Sequence, residues 1–169
     1  MTLIRPIDPG SDFEIRLVAQ RMRETLVEVL GEERGGELYE PAWLEARVRW
    51  HLDASACTGA VFVAEDDDAL VGHTIVRLER ASYGESEEPG EDEPLLGLFS
   101  TIYVVPSARR AGVANALIER GEAWMHTQGM TRAATLTDAH NTKLHELFFA
   151  RGYSLTPLPD DFVRLSRTL

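Results

Sequence analysis

Apolar positions along the chain switch several times between helical and strand spacing, and a capping or breaking residue marks most of the switches. Residues 3–7, LIRPI, read as a short strand. Ser11 and Glu14 have the spacing of a capping box, in which Ser11 accepts from the first helical amides and Glu14 reaches back. Behind them Ile15, Val18, Met22, Leu26 and Val29 recur at three- and four-residue intervals, which predicts an amphipathic helix stopped at Gly31. Pro41 suits the first turn of a second helix. Leu44, Val48 and His51/Leu52 form its buried stripe, and it ends before Gly59. The period then becomes two. AVFVAE (60–65) and LVGHTIVRLERA (70–81) predict a strand pair, with the aspartates at 66–68 as the turn. Residues 82–94 combine Gly, Pro, Ser and acid and read as a loop.

LLGLFSTIYVV (95–105) is apolar throughout, as expected of a strand buried on both faces. A helix over 112–128, a strand over 131–137, a helix over 141–152 and strands near 153–156 and 161–168 complete the chain. The order β-α-α-β-β-β-α-β-α-β-β predicts one mixed α/β domain over residues 1–169, without repeats or interior linkers. The apolar runs are too short to span a bilayer, and the N-terminus has no signal-peptide core, so a cytoplasmic protein without a membrane partner is expected. Cys57 is the single cysteine, which leaves no intrachain disulfide and reads as an inert small residue. A net charge of −11 argues against nucleic acid as a partner. It mildly favours cationic small molecules, although solubility accounts for it as simply.

The densest chemistry lies in VVPSARRAGVANALI (104–118). Pro106 ends the strand. Gly112 lets a ligand approach its backbone, and the first amides of the following helix have no intrahelical partner. Such a helix start attracts phosphate, and Arg109 and Arg110 add charge-assisted donors. A P-loop is excluded by the missing Gly-Lys-Ser/Thr, and a dinucleotide fold by the missing glycines. The expected ligand group is a pyrophosphate.

Val104-Val105-Pro106 followed by Arg109-Arg110-Ala111-Gly112-Val113-Ala114 resembles the central motif of the GNAT acyltransferase superfamily. Asn141, Phe148, Gly152 and Tyr153 fall at that family's downstream spacings, and the element order matches over nearly the whole chain. The resemblance implies a GNAT fold, a mixed sheet of six to seven strands with flanking helices, and acetyl-CoA as cofactor. Arg109, Arg110, Ala111, Gly112, Val113 and Ala114 would cradle its pyrophosphate. The backbone of Ile102, Tyr103 and Val104 would pair with the pantetheine arm as an added strand. Asn141 would hydrogen-bond the cofactor, besides fitting a plain helix N-cap, and Phe148 would pack beside the thioester. A homodimer is compatible with the terminal strands.

The implied reaction is acyl transfer to an amine, which must be neutral to attack. A lysine-like amine has a pKa of ~10.4, so a general base helps. The family's usual glutamate position is Leu98 here, and its usual tyrosine acid is Phe148. Asp138 and His140, where the fifth strand is expected to splay from the fourth, are the candidate base or relay. Ser100, with Thr101, is a candidate to hold a water, and Tyr153 and Tyr83 are candidate acids. The plainer reading of Asp138 and His140 is a helix-capping aspartate and a solvated histidine. His73 is expected on a strand face, His51 at a helix's buried edge, and His126 and His145 in solvent. No metal spacing is present. Tyr39, Trp43, Arg47 and Trp50 are candidates for the acceptor pocket, and the acids Glu85, Glu87, Glu88, Glu91, Asp92 and Glu93 for attracting a cationic substrate. The main expectation is an acetyl-CoA-dependent N-acetyltransferase acting on a small-molecule primary amine. The alternatives are a protein or peptide N-acetyltransferase and a weakly catalytic coenzyme-A-binding sensor.

Overall fold

A computed structural model describes residues 1–33, 40–86 and 88–169. Among these, β1 (Leu3–Pro6), α1 (Asp12–Leu30), α2 (Pro41–Leu52), β2 (Gly59–Asp66), β3 (Ala69–Arg80), β4 (Leu95–Val104), α3 (Val113–Thr127), β5 (Arg132–Asp138), α4 (Thr142–Phe149), β6 (Ser154–Pro157) and β7 (Phe162–Thr168) follow in order. The predicted mixed α/β organisation is present, with one seven-stranded sheet ordered β1-β2-β3-β4-β5-β7-β6. Every neighbouring pair is antiparallel except β4 and β5.

Local chemistry sets the element ends. Ser11 Oγ accepts from Glu14 N–H at 3.2 Å, but the reciprocal half of the expected capping box is absent. Arg5 draws the Glu14 carboxylate into an ion pair, and the carboxylate also accepts from Asp8 N–H at 2.9 Å. Gly31, with φ of 88°, closes α1 through its N–H to Val27 O. Asp67 and Asp68 both have positive φ, the conformation a tight hairpin between β2 and β3 requires.

Strand alternation feeds two cores. Val61, Val63 and Ile75 pack with Ile15, Val18, Leu44 and Val48 under α1 and α2. Phe62, Val76 and Phe99 turn the other way, to Ile118, Met125, Phe148 and Leu165 under α3 and α4. A Cβ on Gly121 would collide with the Phe99 ring, so this glycine lets α3 lie close on β4.

Two irregularities in β4 create the site. Register with β3 runs Ile75↔Thr101 and then Val76↔Phe99, leaving Ser100 as a bulge residue. Ser100 and Thr101 consequently both face the α1/α2 side, where Ser100 meets Arg77 and Thr101 meets His73. On its other edge, β4 pairs with β5 only at Gly97↔Ala133, Leu98↔Ala134 and Phe99↔Thr135. Beyond Phe99, β5 continues with β7 alone and a gap opens beside Ile102–Val104.

Candidate active site

The gap carries unused backbone groups. Val105 N–H donates to Val71 O of β3 at 2.8 Å. By alternation, Ile102 and Val104 turn their N–H and C=O groups into the gap, whereas Tyr103 turns its backbone to β3. Of the three residues expected to offer backbone pairing, Ile102 and Val104 turn their backbone groups toward the gap, and Tyr103 faces the cavity by its side chain. A cavity of about 340 Å³ follows the gap, lined by Thr25, Glu28 and Val29 of α1, Ile102–Val104, Arg109, Ala114 and residues 140–144 and 147.

Gly112 is the N-cap of α3 in the left-handed region, φ 84°, and nothing lies within 4 Å of the position a Cβ would take. Ala116 N–H makes the first intrahelical bond, to Gly112 O. The amides of Val113, Ala114 and Asn115 therefore point out of the helix start unpaired within it. Arg110 also has positive φ, which completes a turned backbone of the kind that concentrates N–H groups on an anion. This loop has the shape and polarity to fit a pyrophosphate.

Arg109 departs from expectation. Its Nη1 and Nη2 donate to Glu28 at 2.7 and 3.2 Å, and its Nε donates to Val104 O at 2.8 Å. The hydrogen bond to Glu28 raises the Arg109 pKa further. The charge expected to meet phosphate is already matched by α1, and one gap-facing carbonyl is occupied by the same side chain. Glu28→Gln is expected to tighten coenzyme A binding severalfold at low salt, because it frees the guanidinium. Calorimetric titration of both proteins checks this, and an unchanged or weaker affinity counts against competition at Arg109.

Across the gap, Asp138 Oδ1 accepts from His140 N–H at 2.7 Å and lies 2.9 Å from His140 Nδ1. His140 is 79% exposed at its side chain and lines the cavity. Asn141 occupies the N-cap position of α4 without capping it, since its Nδ2 donates to Thr137 Oγ1 at 3.0 Å. His145, expected in solvent, is buried, with Nε2 3.1 Å from Asp138 O. Phe148 does not reach the cavity: it is 0% exposed in the core under α4, and Leu147 lines the cavity instead. Tyr153 is also buried, with its hydroxyl donating to Glu122 at 3.0 Å. Burial and that carboxylate push its pKa up, so it is unsuited to release a proton at this gap.

On the α2 side of the bulge, Arg77 Nη1 donates to Ser100 Oγ at 2.5 Å. His51 Nε2 lies 3.4 Å from both groups. Nδ1 of His51 lies 2.8 Å from Arg47 O, which fixes the proton on Nδ1. Burial pushes the His51 pKa down to about 4, and that of His73, stacked on Tyr103, to about 3. Above about pH 6.5 both imidazoles are neutral folded or unfolded. As pH falls from there through 4, the unfolded chain binds protons that His51 and His73 refuse, so stability declines. Melting temperature is expected to drop progressively over this interval, with a shallower slope in His51→Gln. A flat profile in the wild-type protein counts against the neutral assignment.

Glu28, Arg77 and His51 are site residues that sequence reasoning did not assign. Only the two-residue offset of Arg77 and Glu79 on one strand face was available as a signal, and they pair at 3.3 Å. Tyr39 and Glu87 lie outside the described residues. Burial raises the Cys57 thiol pKa, in keeping with an inert residue. Among the described residues no helix is long and apolar enough to cross a membrane.

The acetyltransferase (GNAT) family model matches residues 20–153. Ribosomal-protein-alanine N-acetyltransferase from Brucella melitensis superposes with a TM-score of 0.72 at 16% identity, covering 99% of each chain. An acetyltransferase from Thermus thermophilus gives 0.71 at 16% identity, over 100% of this chain and 97% of its own. PaiA N-acetyltransferase from Thermoplasma acidophilum, solved with coenzyme A, gives 0.68 at 11% identity over 100% and 99%. No curated protein matches by sequence.

Proposed function

The chain belongs to the acetyltransferase (GNAT) family, and from that premise we propose that it is an acetyl-CoA-dependent N-acetyltransferase acting on the primary amine of a small molecule. The observation that carries the reading is the gap beside Ile102 and Val104, continuous with the open anion cradle at Gly112. Gly112, Val113 and Ala114, with Arg110 and Ala111 in the preceding turn, hold the pyrophosphate by backbone amides. Arg109 holds the loop against α1 and contributes charge only when Glu28 lets go. Ile102 offers a donor and an acceptor to the amides of the pantetheine arm, and Asn141 and Leu147 border it. Bound acetyl-CoA supplies a thioester whose C–S bond breaks as the amine's N–C bond forms, the sulfur leaving as thiolate.

This chain's own groups manage the amine and its proton. Asp138 holds the Nδ1 side of His140, which leaves the Nε2 lone pair facing solvent and cavity as a proton acceptor. Ser100, fixed by Arg77, presents a hydroxyl beside the bulge and orients the amine or a water. The Val104 amide is a donor for negative charge on the acyl oxygen. His51 is too weakly basic to take the proton, because its burial disfavours the cation.

Titration of acetyl-CoA, followed by heat and by melting temperature, tests the cofactor. A ligand at 100 times its Kd adds about 2.7 kcal/mol of stability. Thiol release across a panel of small amines and free peptide N-termini tests the reaction. Binding with amine-dependent thiol release is expected. No binding to folded protein overturns the proposal, and turnover of peptides alone replaces the small molecule by a protein acceptor.

A further inference from the structure

The α2 side of the bulge holds more positive charge than it neutralises. Arg47, Trp50 and His51 fall at i, i+3 and i+4 on α2, so one face of the helix delivers all three toward β3 and β4. The Arg47 guanidinium stacks over Trp50, 4.0 Å from the ring centroid, and the Arg77 guanidinium lies 5.9 Å from the same centroid. Tyr83 covers Arg77 at 5.3 Å. Arg77 is committed: it pairs with Glu79 and donates to Ser100. Among the described residues Arg47 makes no ion pair at contact distance, and Glu79, paired with Arg77, acts on it only at longer range. Burial first, and then the neighbouring Arg77 charge, disfavour its cation, a form that arginine nevertheless keeps in proteins.

A half-buried guanidinium flattened on an indole, beside a second guanidinium whose carboxylate Glu79 it feels only at longer range, is an arrangement that gains from an incoming carboxylate. It lies on the same side of the sheet as the Ser100 and Thr101 hydroxyls, and the Trp50 ring that carries it is also approached by Arg77, the donor to Ser100. A ligand with its amine at the bulge has Arg77 beside Ser100, and Arg47 across the shared Trp50 ring, as cations for its remainder. Resting on the transferase reading, we propose that the acceptor is a small amine bearing a carboxylate, an amino acid in chemical class, and that Arg47 is the residue that selects it. The acceptor's charge thus differs from the cationic one that the chain's net charge favours. Trp50 positions the guanidinium, and Arg77 adds attraction while holding Ser100.

The test compares L-amino acids with their amides and with the amines that lack the carboxylate, scored by thiol release. At least one free acid is expected to exceed its amide in kcat/KM by roughly 10- to 100-fold, the worth of hydrogen bonds to a charged group. The difference should lie mainly in KM. Arg47→Gln is expected to bring the acid-to-amide ratio close to one, and Arg47→Lys to restore part of it. Equal rates for acids and amides, a ratio untouched by Arg47→Gln, or a preference for peptides over free amino acids each overturn the assignment. Binding of N-acetylamino acids, measured by calorimetry without turnover, separates this proposal from the transferase reading. If no amine is acetylated, that reading fails on its own. Tenfold weaker binding of N-acetylamino acids to Arg47→Gln than to wild type then still supports the carboxylate site, and equal binding removes it.

Discussion

Gly112→Asp is expected to eliminate coenzyme A binding while the protein stays folded. Gly112 sits at φ 84° with open space around its Cβ position, so the new side chain meets no neighbour. Aspartate tolerates the left-handed region better than most residues and is a favoured N-cap. The substitution therefore puts little at risk in α3 itself. It places a fixed negative charge, able to accept from the helix's own first amides, where the pyrophosphate has to lie. An affinity loss of at least about 100-fold is expected, since each displaced charge-assisted hydrogen bond is worth about 1.5–3 kcal/mol. The melting temperature of the free protein should move by a few degrees, and the rise on adding acetyl-CoA should vanish. Gly112→Ala, which adds strain without charge, separates the two contributions and should retain measurable binding. Unchanged affinity in the aspartate variant would defeat the assignment of this loop.

Phe148→Ala should have the largest effect on stability. Phe148 is fully buried, with its ring edge-on to Phe99 at 5.6 Å and to Tyr153 at 4.8 Å between centroids. Truncation leaves a cavity where three rings meet, and such changes cost about 3–5 kcal/mol. That is a large part of the roughly 5–15 kcal/mol typical of a domain. For a chain of this size it corresponds to a fall in melting temperature of roughly 6–20 °C. Phe148→Leu, which refills part of the space, should cost less than half as much. Phe99 is also one of the three β4 residues paired with β5, so loosening its ring contacts reaches the root of the gap as well. Urea denaturation of the three proteins measures the effect, and a loss below about 1 kcal/mol for the alanine variant would contradict the packing account.

The legible parts of the chain were those in which the determining interaction is close in sequence. Two-residue alternation in 60–65 and 70–81, the Asp67–Asp68 turn, Pro41 at a helix start and Gly31 at a helix end all act within a few residues, and the structure has each of them. The loop proposed to hold the pyrophosphate is local in the same sense, because Pro106, Gly112 and the helix start lie close together in sequence. What could not be read there is decided by partners far along the chain. Glu14 leaves its capping role because Arg5 competes for it. Arg109 meets Glu28, 81 positions away. His145 and Phe148 are buried because α4 presses on the sheet, whereas helical spacing alone could not say which side of so short a helix faces inward. The cluster of Arg47, Trp50, His51, Arg77 and Ser100 joins a helix to two strands. Arg47 and Trp50 were visible as pocket candidates and His51 as part of the buried stripe, but the charge balance of the cluster was not.

The three-pair seam between β4 and β5 has a consequence for how the molecule yields under load. The strands β1–β4 form one plate and β5, β7 and β6 another, each stitched internally along longer antiparallel ladders. A small twist about the seam would open or narrow the far end of the gap, working against the Gly97–Phe99 pairing, the Thr135 hydroxyl on Phe99 O and the Phe99–Phe148 ring contact. Slot width is thus set by three backbone pairs and by the rings packed beneath them. An occupant that bridges the plates would act as a further spacer across that seam.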